Sequence, residues 1–64
     1  MPPTGPQLRA RRLALDIPLI EIAALLGISA PYLWDLEQGN RPMDAERRRR
    51  YERALVRAEK RVKA

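Results

Sequence analysis

The sequence contains no cysteine and no histidine. That double absence removes disulfide staples, thiol chemistry, the commonest zinc sites and every catalytic arrangement built on imidazole. Packing alone must hold the fold. Long apolar runs are missing as well: none approaches the roughly 20 residues of a membrane span, and no membrane partner is expected. Met1-Pro2-Pro3-Thr4-Gly5-Pro6 has neither the basic nor the apolar region of a leader, so the expected location is cytoplasmic. A chain of 64 residues makes one domain at most and buries only about 60% of its unfolded surface. No large enclosed pocket is expected, and function must sit on the outside. The carboxylates Asp16, Glu21, Asp35, Glu37, Asp44, Glu46, Glu52 and Glu59 show no metal-ligand grouping, and no Gly-rich phosphate loop or nucleophile motif accompanies them. No enzyme activity, metal, cofactor or small-molecule ligand is expected.

Arginine is what the chain has in excess. Lys and Arg number 13 against 8 Asp and Glu, for a net charge of +5, and 11 of the 13 are Arg. The planar guanidinium fork suits phosphate and guanine edges, which points to a polyanionic partner. Charge alone does not separate that reading from a merely soluble basic protein.

Local signals divide the chain into four helices. Residues 1–5 are rich in Pro and Gly and read as a flexible tail, ahead of a domain over 6–64. Thr4 and Gln7 have the spacing of a capping box, opening a first helix that runs to about Leu15 with Leu8 and Leu15 on one face. Asp16-Ile17-Pro18 breaks that pattern, and a second helix is predicted over Leu19 to Leu26. Gly27 then turns the chain through a left-handed backbone, with Ile28 plugging the corner. Ser29 caps a short third helix, with Pro31 in its first turn, Leu33 and Leu36 on one face, and Gly39 at its end. Pro42 bars continuation. Asp44 caps a last helix of about twenty residues, over about 44–63. There Tyr51, Ala54, Leu55, Ala58 and Val62 share an arc of about 100 degrees, with Arg50, Arg53, Arg57 and Arg61 as a ridge beside it. No β-type alternation or internal repeat is present. The expected class is a small all-α domain of about four helices containing a helix-turn-helix.

Two helices joined by a tight Gly-containing turn, the second short and Ser-capped, are the elements of a DNA-reading helix-turn-helix. In Ile17 through Pro42, IPLIEIAALLGISAPYLWDLEQGNRP, the chain resembles Cro/lambda-repressor-like domains. The resemblance is carried by Glu21-Ile22-Ala23, Gly27-Ile28-Ser29, Tyr32-Leu33 and Glu37-Gln38-Gly39. It extends upstream through Leu8-Arg9 and Arg12, and downstream to Ala54-Leu55. It implies a regulator, with repression by occlusion the simplest action, in a phage or prokaryotic setting. The partner it implies is double-stranded DNA, bound by a homodimer on an inverted repeat with half-sites about 34 Å apart. Ala58 and Val62 are the candidate dimer contacts.

The resemblance also implies residue roles. Arg12 and Glu37 would pair to brace the third helix, with Arg12 also touching phosphate. Ala30, Pro31, Trp34 and Asp35 would face the bases: Ala30 and Pro31 through apolar contact such as thymine methyls, Asp35 by accepting from a cytosine amino group, unless Asp35 is a surface charge paired with a nearby Arg. Tyr32 would reach phosphate. Where such domains often carry a hydroxyl cap followed by Gln, this chain has Pro18-Leu19, and Leu19 cannot make the corresponding phosphate contact. Asn40, Arg41, Arg47, Arg48 and Arg50 are candidates to replace it. Trp34 lies off the core face defined by Leu33 and Leu36, and a large exposed Trp serves either a groove or a protein partner. The competing reading is therefore a protein-interaction module, antitoxin-like or inhibitory, that uses Trp34, Tyr32 and Leu19 as an apolar patch. A weaker third reading lays the basic last helix on a membrane surface.

Overall fold

The computed structural model describes residues 2–63, with side chains through Lys60. It is an all-α domain of four helices: α1 (Gly5–Ala14), α2 (Leu19–Leu26), α3 (Ala30–Gln38) and the long α4 (Ala45–Lys63). No strand occurs among the described residues.

Each helix begins and ends where local chemistry dictates. At α1 the capping box closes in both directions: the Gln7 N–H donates to Thr4 Oγ1 at 3.2 Å, and the Thr4 N–H to Gln7 Oε1 at 2.9 Å. Gly5, the last residue of the expected tail, is thus the first residue of the helix, where the capping box sets it, and it lies directly against the α3 backbone at Leu36 and Glu37. Asp16 closes α1 in a left-handed conformation at φ 57°, which Asp tolerates better than most residues. Gly27 at φ 72° ends α2, and the Ile28 N–H donates back to the Ala23 carbonyl at 3.0 Å. Ser29 Oγ then accepts from the Tyr32 N–H at 3.2 Å to start α3. Asp44 Oδ1 accepts from the Arg47 N–H at 2.7 Å to start α4.

Across the three residues 27–29 the chain bends by 104° between α2 and α3. That angle lets α2 and α3 share one core while α3 keeps its outer face clear. α3 packs on α1 and α2, and α4 closes the other side against α2 and α1. Leu8, Ile22, Leu33, Leu36, Tyr51 and Leu55 are fully buried at the centre, supplying the apolar burial that a domain this small depends on.

Candidate nucleic-acid interface

Helix α3 is held from inside by a polar joint of three helices. Arg12 on α1 donates Nε and Nη2 to the two carboxylate oxygens of Glu37 on α3, at 2.9 and 3.1 Å, and Nη1 to the Ile17 carbonyl at 2.8 Å. From α4, the Tyr51 hydroxyl donates a short hydrogen bond to the same carboxylate. Arg12 is 7% exposed and Glu37 fully buried. Such a fork is geometrically specific, and here it fixes the α3 axis relative to α1 and α4. Arg12, expected to touch phosphate as well, is largely buried, and three of its five N–H donors are held internally.

The joint sets the titration of its members. Burial works against the Arg12 charge, but the hydrogen bond and charge of Glu37 outweigh it and hold Arg12 above the ordinary arginine value. Burial, then the hydrogen bond and charge of Glu37, push the Tyr51 phenol well above its usual range, with Arg12 opposing. The folded state therefore binds the Tyr51 proton more tightly than the unfolded chain does. Its contribution to stability is complete below about pH 10, the ordinary tyrosine value, and is lost as pH rises beyond it. The melting temperature should fall steadily above about pH 10, and Tyr51→Phe should flatten that fall. Equal alkaline slopes for the two proteins in melts followed by circular dichroism would contradict this assignment.

The outer face of α3 is the candidate contact surface. Ala30, Pro31, Trp34 and Asp35, two adjacent pairs one helical turn apart on α3, line one shallow open groove together with Leu19 from the first turn of α2. The open volume above it is about 450 Å³. Trp34 is 49% exposed, as its position off the core face requires. Leu19 and Trp34, which the competing reading put in one apolar patch, do share this groove, and the 104° bend brings the start of α2 beside the start of α3.

Beside this groove stands a cluster of cations organised by Tyr32. The guanidinium groups of Arg41 and Arg47 lie 5.5 and 5.3 Å from the centre of its ring, and Arg47 Nη1 donates to its hydroxyl at 3.0 Å. Arg41 Nε is also 3.7 Å from Asp35 Oδ2, a loose exposed pair of little energetic weight. Asn40 is exposed, and its backbone N–H donates to the Asp35 carbonyl at 3.0 Å. Arg50 is exposed and holds the Leu26 carbonyl through Nη2 at 3.1 Å. Arg48 is half-buried, with Nη2 on the Met43 carbonyl at 3.0 Å and a buried Nε. The sequence supplied these arginines as a run; the gathering of Arg41 and Arg47 on one ring is a tertiary result.

Ala58 corrects another expectation. It is 0% exposed, packed into the domain's own core by the α4 arc that carries Tyr51 and Leu55, and it is not a dimer contact. The Val62 side chain lies outside the described residues. No group of three or more Asp or Glu among the described residues is placed to hold a metal ion, and no single helix there is long and apolar enough to cross a membrane.

No family model, curated protein or solved structure matches the chain.

Proposed function

We propose that the chain is a sequence-specific double-stranded DNA-binding regulator of the Cro/lambda-repressor-like helix-turn-helix type, acting as a small phage or prokaryotic repressor. α3 enters the major groove, and Arg41, Arg47 and Arg50 hold the flanking phosphates. The observation that carries this reading is the outer face of α3: an exposed groove on a short helix set at 104° to its neighbour, with two arginines gathered at its edge. Helix-turn-helix units cross at about 90–120 degrees over a turn of three or four residues. A single module makes a small interface, so two copies on an inverted repeat are proposed, blocking transcription by occupancy.

Titration of the protein against random and selected duplexes at two salt concentrations tests the proposal. Affinity for a selected palindrome should fall steeply with salt. Arg41→Ala and Arg47→Ala should each weaken binding across all sequences and reduce the log–log salt slope by about 1. Failure to bind any duplex at low salt sinks the proposal. The second reading, a protein-interaction module, is favoured by the nearly apolar lining of the groove, and loss of all DNA affinity would leave it in place.

A further inference from the structure

We infer that the groove between α2 and α4 docks a partner protein through a short amphipathic helix, one with leucine-like residues along one side and Asp or Glu beside them. The groove is lined by Leu25, Arg50, Arg53, Ala54 and Arg57 and opens on about 170 Å³. It is a different surface from the groove on α3, because Leu25 stands about 120° around α2 from Leu19. None of the roles proposed above uses Arg53 or Arg57, and the inference goes beyond the DNA-binding reading without resting on it. Arg50, Arg53 and Arg57, at i, i+3 and i+7 on α4, stand in one row about 10 Å long, and all three are exposed. Arg50 is tied back to the Leu26 carbonyl. Ion pairs among the described residues use Arg11, Arg12 and Arg41 and none of these three. Three cations therefore stand side by side on one groove with no ion pair to a described carboxylate, an arrangement that repels itself until an anion is supplied. The side chain of Arg61, the fourth member of the ridge, lies outside the described residues.

The floor decides which anion. Leu25 is half-buried and Ala54 is 6% exposed, so the surface between the arginines is apolar. On the adjoining side of α2, Ala24 and the 70% exposed Ile20, one turn apart, carry that apolar surface outward. The phosphates of a duplex are charged throughout and gain nothing from such a floor. A bilayer takes an amphipathic helix by its apolar side, but on α4 Tyr51, Ala54, Leu55 and Ala58 are buried in the domain's own core. An acidic amphipathic helix meets both features. Its apolar stripe covers the floor, and carboxylates three and four residues apart match the row of guanidinium forks, each of which can give two parallel N–H groups to one carboxylate.

The test selects random peptides of about twelve residues, three helical turns, on the full chain and measures the enriched ones by fluorescence anisotropy. They should combine Asp or Glu with apolar residues at helical spacing. Exchanging their acids for Asn or Gln, or their apolar residues for Ser, should each weaken binding. In the protein, Arg53→Gln with Arg57→Gln should weaken the same peptides by about tenfold or more, the equilibrium weight of one lost charge-assisted hydrogen bond. Both positions are exposed, and melting curves verify that the variant folds. Its duplex binding, titrated against salt, should keep the wild-type slope. Absence of enrichment overturns the inference, as do enriched peptides without acids, or peptides that the variant holds as tightly as the wild type. A salt slope for duplex DNA that drops by about 2 in the variant assigns the two arginines to phosphates. Binding to mixed phosphatidylserine and phosphatidylcholine vesicles that the variant loses assigns them to a membrane. Either result also overturns the inference. The peptide measurements contain no DNA, so they stand whether or not α3 reads a duplex.

Discussion

Glu37→Ala should leave the domain largely unfolded in conditions where the wild type melts cooperatively. The substitution removes both partners of the Arg12 fork and strands a guanidinium that is 7% exposed. Breaking a buried pair by deleting one member costs about 3–5 kcal/mol, because the remaining charge stays desolvated. Stability of about 0.05–0.15 kcal/mol per residue gives a domain of this length roughly 3–10 kcal/mol in total, so the loss consumes most of it. Replacing the whole joint is a different experiment. Arg12→Met, Glu37→Leu and Tyr51→Phe together leave only the Ile17 carbonyl without the donor it has now, and that triple variant should recover much of the loss. Urea unfolding reads both variants. A cost below about 1 kcal/mol for Glu37→Ala, the value of an exposed pair, would show that Arg12 relaxes into solvent instead.

Gly5→Ala should destabilise the protein, although helix propensity argues the reverse. Ala is favoured over Gly within a helix by about 1 kcal/mol, and Gly5 is the first residue of α1. A β-carbon there would lie 2.2 Å from the Leu36 carbonyl oxygen and 3.2 Å from that of Glu37. Both obstacles are backbone, so no side chain can swing aside; α1 must shift away from α3 and disturb the Arg12 fork with it. Strain of this kind costs typically about 1–3 kcal/mol, enough to reverse the propensity gain. A lower melting temperature and weaker DNA binding are expected. A rise in melting temperature would mean that the two helices are free to separate.

The helix boundaries were legible because short-range chemistry sets them. Thr4 with Gln7, Gly27, Ser29, Gly39 and Asp44 each act on backbone groups within a few residues, so order and type of residue sufficed. What sequence reasoning missed depends on where distant segments meet. Nothing near Gly5 indicates that its bare α-carbon is needed by Leu36. Arg12 entered through a resemblance as a partner of Glu37, but its burial needs Ile17 and Tyr51 packed around it. Ala58 looked available on a helical arc that also carries Tyr51 and Leu55, and the core takes that whole arc. The Tyr32 cluster belongs to the same class: local pattern supplied the residues, and the loop after α3 supplied their company.

The two sides of α3 carry separate burdens. Its inner side, Leu33, Leu36 and Glu37, is fastened to three other helices, and Ala30 packs in part against the same core, whereas Trp34 on the outer side is half exposed and Asp35 adds only a loose pair with Arg41. On the proposed function, exchanges at Trp34 and Asp35 would alter what the helix recognises at small cost to the frame behind it. A change of specificity would then need only a few substitutions, each on a scaffold that still folds.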